Sequence, residues 1–334
     1  MKQSIALPIV DTSQVGDARR VAARLTTEAG LSEHDRGTTA LIVTELAGNL
    51  AKYARNGHLV MRALGDDEGG GIEVISIDSG PGIADVAGCL TDGFSSGGTP
   101  GTGLGAVRRI ARQFEIYSSP GTGTGVMARV GSSAGPSAGS EKLVEFGIVC
   151  IAMKGEDRCG DSWGVYQSPA RASFMVVDGL GHGSVAAAAS DEAVRIFETY
   201  PGEPPVDLLR YAHLALRSTR GAVMAMADVD LASGAVSYAG IGNIAGCLLG
   251  EAEASHMVSL NGTVGFAANA RAYPYRWPSG AALVLCSDGL QSRWQMKQFP
   301  GLIRQHPSII AGMLYQHYAR ERDDVSVLVA RRKG

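Results

Sequence analysis

The chain has 334 residues and a net charge of −3, with 45% apolar and 19% charged residues. This is a soluble globular balance, long enough for two domains with separate cores. No basic excess is present to neutralise phosphates, which disfavours nucleic-acid binding, and no apolar run approaches the ~20 residues that span a bilayer.

In chain order, Val15, Ala18, Val21, Ala22 and Leu25 form a helical stripe that Gly30 can end. Residues 36–54 read as a second helix, and HLVMRAL (58–64) and IEVISI (72–77) as strands. Leu104, Val107, Ala111 and Phe114 mark a further helix. FEIYS (114–118) and a strand over 125–130 close as a hairpin. The mixture predicts helices layered on one sheet. Residues 131–140, GSSAGPSAGS, read as a flexible linker. The expected division is therefore 1–130, a linker over 131–141, and 142–334.

The second part predicts strands at FGIVCIAM (146–153), SFMVV (173–177), AVMAMADVDL (222–231), AVSYA (235–239), AALVLCS (281–287) and VSVLVA (325–330). Helices are expected near 184–199 and 206–218. The order is not a regular βαβ alternation. The N-terminus lacks the apolar core of a signal peptide. The five cysteines form no C-x-x-C pair. Both features point to a cytoplasmic protein with reduced thiols.

Three pieces of the first part combine into a nucleotide pocket. In TELAGNLAKYA, Glu45 and Asn49 share a helix face, with Lys52 nearly on it. A carboxylate beside an amide oxygen suits magnesium and a phosphoryl-accepting hydroxyl. In DSGPGI, Asp78 ends a strand where it can meet an exocyclic amine, and Gly80 and Gly82 allow close backbone approach. In GTPGTGLGAV, Gly101, Thr102, Gly103, Leu104 and Gly105 run into a helix, where successive N–H groups form an anion site. The bland readings are a solvated helix face and a Pro-Gly turn. For Arg108, Arg109 and Arg112, a solvated face outweighs phosphate contact.

The order of these boxes resembles the GHKL ATPases, in the short form of the RsbT-like anti-sigma-factor serine kinases. The resemblance covers residues 10–130. It implies a Bergerat α/β sandwich that binds ATP with magnesium, Glu45 as base, Asn49 as magnesium ligand and Asp78 as adenine reader. GTGTGV (121–126) resembles the last box, which sets Thr124 near the nucleotide.

The second part ends apolar strands in aspartates. Asp178 opens DGLGHG after SFMVV, Asp288 opens DGL after AALVLC, Asp323 and Asp324 precede VSVLVA, and Asp161 lies in GDSWG. Converging carboxylates make an all-oxygen site for magnesium or manganese, where two ions can activate a water against a phosphoester. Each Asp-Gly taken alone reads as a turn. His182 can bind phosphate or relay a proton, but a plain loop residue is the commoner meaning.

The order GD, DGLGHG, SDGL, DDVS resembles the PPM-type phosphatases, in their SpoIIE/RsbX branch, over residues 145–332. The resemblance implies an α-β-β-α sandwich, with Asp178 bridging two metals, the Gly179 carbonyl binding one, and Asp288 and Asp323 completing the site. Asp161 matches a more variable position. Ser326 stands where the family usually has Thr and keeps the hydroxyl. Asp323 is preferred over Asp324 as ligand.

Together the two resemblances imply an α+β bifunctional switch enzyme. It would phosphorylate and dephosphorylate a small STAS-type partner on Ser or Thr, and a homodimer is compatible with the family. The alternative is a phosphatase whose first domain only senses nucleotide or binds a sigma factor or adaptor.

Overall fold

The computed structural model describes residues 3–90, 103–131, 143–251, 253–320 and 322–333. Most of the expected linker over 131–141, together with Gly101 and Thr102, lies outside the described residues. The chain forms two compact units. One is Gln3–Ser140 with Gln298–His317, and the other is Glu141–Lys297 with Tyr318–Gly334.

The elements follow in chain order. The first stretch gives β1 (Ile5–Ile9), α1 (Gln14–Glu28), α2 (Glu33–Tyr53), β2 (Gly57–Leu64), β3 (Gly71–Asp78), α3 (Val86–Cys89), α4 (Gly103–Ile110), β4 (Gln113–Ser119) and β5 (Gly123–Val130). Next come β6 (Val144–Ile151), β7 (Asp161–Gln167), β8 (Arg171–Gly179), α5 (Gly183–Thr199), α6 (Pro205–Ala215), β9 (Ala222–Asp230) and β10 (Ala235–Ile241). The last are β11 (Ala245–Leu249), β12 (Ala254–His256), β13 (Ser259–Leu260), β14 (Tyr273–Arg276), β15 (Ala282–Cys286), α7 (Pro307–Tyr318) and β16 (Val325–Arg332).

In the first unit the sheet order is β1-β2-β3-β5-β4. Period-two alternation divides each strand between two faces. Ile72 and Val74 of β3 and Val126, Ala128 and Val130 of β5 pack with Ile42, Leu46 and Leu50 of α2 and with Ala18, Ala22 and Leu25 of α1. α2 is preceded by Ser32, whose hydroxyl accepts from the Asp35 N–H at 3.1 Å, a side-chain cap for the first turn. The helix expected to run to Phe114 stops at Ile110. The Arg112 N–H donates to the Arg129 carbonyl at 2.8 Å, so the chain there has already joined the sheet and Phe114 lies in β4.

The opposite sheet face carries Glu73, Ile75, Ile77, Met127 and Arg129, and α7 lies against it. Gly312 faces Ile75 and Ile77, and Gly125 faces Met313 and Ile309. Glu73 is fully buried. It accepts from Arg62 Nε at 2.8 Å, Arg129 Nε at 2.7 Å and Ser308 Oγ at 2.7 Å. A buried carboxylate persists because charged donors surround it. The linear division at 131–141 did not include this return of residues 298–317 to the first unit.

The second unit stacks two sheets, β13-β10-β9-β8-β7 with β14 beside β10, and β12-β11-β15-β16-β6. Their shared core includes Phe174, Val176, Ala225 and Ala227 from one sheet and Ile148, Leu283, Leu285 and Leu328 from the other. α5 and α6 cover the outer face of the first sheet through Ala193, Phe197, Leu208 and Leu209 against Met175, Val177, Met224 and Met226. The α+β class, with an ATPase-like sheet domain followed by stacked phosphatase-type sheets, is what the sequence led us to expect.

Candidate functional sites

In the second unit the strand period itself delivers the carboxylates. The inward positions of β8 are Ala172, Phe174 and Val176, then Asp178. Those of β7 lead from Trp163 back to Asp161. Asp161 and Asp178 are register partners, so both side chains leave the same face at the same end of the sandwich. Gly179 follows Asp178, and a methyl there would collide with the Ala186 carbonyl of α5, so only glycine allows this approach.

Asp161 is buried. Its Oδ2 accepts from the Ser326 hydroxyl at 2.7 Å, and its Oδ1 is buried without a hydrogen-bond partner. Burial, and secondarily Asp324 and Asp323, outweigh the Ser287 and Ser326 hydrogen bonds and push its carboxyl up to about 7. Burial, then Asp161, Asp288, Asp323 and Asp324, push Asp178 up to about 9. Burial and Asp323 also raise Asp288, against Arg320. Mutual repulsion of this kind is what a divalent cation relieves, and an unpartnered buried oxygen is a ready ligand. The residues present therefore fit magnesium or manganese.

Asp178, Asp288 and Asp323 line a pocket of about 690 Å³ with Asn243, Arg322 and His182. Among the described residues, no three His, Cys, Asp or Glu side chains enclose a single ion position.

Asp324 does different work from Asp323. Its Oδ1 accepts from the Met153 N–H at 2.7 Å and its Oδ2 from the Gly160 N–H at 2.9 Å. Both oxygens fasten the loop before Asp161, while Asp323 faces the pocket. His182, read as more often a plain loop residue, has Glu156 Oε1 2.6 Å from its Nδ1. Asn243 was not singled out from sequence. Its Nδ2 donates to Asp288 Oδ2 at 2.7 Å.

In the first unit, α2 is the common support. A methyl on Gly103 would come within 3.0 Å of Glu45 Oε2 and 3.7 Å of Asn49 Nδ2. The space between the start of α4 and this helix face is therefore one that a side chain at Gly103 would fill. Gly80 lies 3.4 Å by the same measure from the Tyr53 carbonyl at the end of α2. Its N–H donates to Asp78 Oδ1 at 2.6 Å. Burial raises the Asp78 carboxyl, opposed by the Gly80 and Thr124 N–H groups. Thr124 is the register partner of Asp78, and its hydroxyl meets Ser118 Oγ at 2.8 Å. Gly82 has φ +74° and packs against the Ser119 carbonyl. Leu104 is half-buried and Gly105 buried in α4, and Lys52 is exposed. Arg112 Nη1 donates to the Gly69 carbonyl at 3.0 Å, which ties that side chain to a turn. Arg108 and Arg109 are exposed.

Comparison with known proteins agrees with both halves. Residues 10–130 match the family described as histidine kinase-like ATPase domain. Residues 168–333 match the family described as stage II sporulation protein E. The chain is 33% identical over 101 residues to the serine/threonine-protein kinase RsbT of Bacillus subtilis (strain 168), covering 30% of this chain and 76% of RsbT. It is 26% identical over 94 residues to the phosphoserine phosphatase RsbX of the same organism, covering 28% of this chain and 47% of RsbX. It thus spans about half of that second relative. A solved structure described as "The bacterial stressosome: a modular system that has been adapted to control secondary messenger signaling" matches with 29% identity, TM-score 0.51, over 56% of this chain and 99% of that one. RsbX in complex with magnesium matches in fold, with 18% identity, TM-score 0.51, over 58% of this chain and 98% of that one.

The two sets of boxes and the two folds define a kinase-like ATPase domain joined to a PPM-type phosphatase domain. The chain belongs to the histidine kinase-like ATPase family, as a homologue of RsbT, and its residues 168–333 carry a SpoIIE-type domain similar to RsbX. No described helix is long and apolar enough to cross a membrane.

Proposed function

We propose that the protein is a cytoplasmic, bifunctional phosphorylation switch. Its first unit would move the γ-phosphoryl group of ATP to a Ser or Thr of a STAS-type partner, and its second would hydrolyse that phosphoester. The observation that carries the reading is the gathering of Asp161, Asp178, Asp288 and Asp323 at one end of the sandwich, with a buried Asp161 oxygen left for a cation. The similarity to RsbT and RsbX supports opposed activities on one kind of partner.

Asp178 and the Gly179 carbonyl would hold two magnesium or manganese ions with Asp161, Asp288 and Asp323. When bound, such ions polarise phosphoryl oxygens and acidify water. Ser326 fixes Asp161, and Asp324 fixes the loop that presents it. In the first unit, Asn49 would hold magnesium and Glu45 would accept the proton of the partner hydroxyl. Asp78 would read the adenine amine beside Gly80, Gly82 and Thr124. Lys52 and the Gly101, Thr102, Gly103, Leu104 and Gly105 run would face the phosphates.

The reading is tested with p-nitrophenyl phosphate, manganese and a fluorescent ATP analogue. Wild type is expected to hydrolyse the ester only with metal, and Asp178→Asn to fail. Asp78→Ala is expected to lose the nucleotide. Metal-independent hydrolysis that survives Asp178→Asn would remove the phosphatase assignment.

A further inference from the structure

We propose that Asn243 is a positioning residue of the phosphatase site, its side-chain amide holding Asp288 in the orientation from which that carboxylate takes a divalent cation. This rests on the metal-dependent reading of the second unit given above. Asn243 Nδ2 donates to Asp288 Oδ2 at 2.7 Å, and both residues line the pocket with Asp178 and Asp323.

The sheet places the pair. Ala245 of β11 pairs with Cys286 of β15 in an antiparallel ladder. Carried two residues further in the same register, Asn243 falls opposite Asp288, and directly opposed residues send their side chains to the same face. The approach to Asn243 is fixed as well. Gly242 has φ +91°, where a side chain is strained, and a methyl there would collide with Val223. Its N–H donates to the Leu260 carbonyl at 2.8 Å. The amide is therefore presented by a backbone held at two points.

The residue type matters. A carboxylate carries about four lone-pair sites on two oxygens. The amide occupies one on Oδ2 and leaves Oδ1 for the pocket. A lysine or arginine here would neutralise Asp288 and compete with the ion. An aspartate would add another negative charge to a site already crowded with carboxylates. A neutral donor orients Asp288 without doing either, as outer partners of metal-binding carboxylates do.

The test is isothermal titration of manganese into the full chain, with melting of the EDTA-treated proteins alongside. Asn243→Ala is expected to weaken manganese binding roughly 10–100-fold while its metal-free melting temperature stays at the wild-type value. Its p-nitrophenyl phosphate activity should return when manganese is raised by the same factor. Unchanged manganese affinity in Asn243→Ala, with affinity lost in Asp288→Asn, would overturn the proposal and leave the metal site standing. A lowered metal-free melting temperature with unchanged affinity would make Asn243 merely structural. If wild type binds no manganese, the metal-dependent reading falls and takes the proposal with it.

Discussion

Asp161 and Asp178 are direct cross-strand partners on β7 and β8. Two carboxylates set opposite one another destabilise a sheet, and here one of them has a buried oxygen with no hydrogen-bond partner. Asp178→Asn should therefore reduce metal-dependent hydrolysis by more than the roughly 10–100-fold that loss of an outer partner costs. It should also leave the metal-free fold at least as stable as wild type, because it removes a repulsion. Steady-state rates and melting in EDTA check the two halves together.

Ser326 donates its hydroxyl to Asp161 at 2.7 Å. Ser326→Ala is expected to weaken metal binding by about 10-fold or more, because it removes the hydroxyl that holds Asp161 in place. Ser326→Thr keeps the donor and should keep most of the affinity. Equal manganese affinity in Ser326→Ala and wild type would show that the hydroxyl does not orient the ligand.

The place of Asp178 could be counted from the alternation of β8: Phe174 and Val176 point inward, so Asp178 does as well. Glu45 and Asn49 could be placed together on α2 because helical spacing is local. Asn243 was not legible in the sequence, because its contact with Asp288 depends on the pairing of β11 with β15, strands distant in sequence. Nor was the place of α7. Its apolar positions fit any core, and nothing in residues 298–317 announces that they join the sheet of β1 to β5. β1 escaped notice because a five-residue strand containing Pro8 carries little pattern.

Glu73 makes the stability of the first unit depend on pH. Burial opposes its ionisation, but Arg129, then Arg62 and His306, outweigh it and hold the carboxyl well below the usual range. A carboxyl lowered by folding stabilises the fold fully above its unfolded value, and that stability is lost as pH falls through the folded one. Acidification below the ordinary carboxylate range should therefore unfold the first unit. Glu73→Ala, which leaves two buried arginines to share Glu68 alone, should cost about 3–5 kcal/mol in a urea titration. A flat stability profile between neutrality and strong acid would contradict this account.

The return of residues 298–317 predicts the behaviour of a fragment. A piece ending at residue 140 keeps α1, α2 and α4 on one sheet face but loses Ile309, Gly312 and Met313 from the other, exposing Ile75, Ile77 and Met127. Exposed contiguous apolar surface of this kind drives association. Such a fragment should be less soluble, and melt lower by calorimetry, than the same fragment with residues 298–317 fused back. Identical behaviour of the two would mean that the helix adds nothing to the unit.

The most direct test of opposed activities follows label from γ-labelled ATP onto a purified STAS-domain protein. Bifunctionality predicts that label accumulates with Asp178→Asn, stays low with wild type because it is removed, and never forms with Glu45→Ala. If no form of the protein labels the partner, while ATP still binds, the first unit is a nucleotide sensor or binding module and the kinase claim is contradicted.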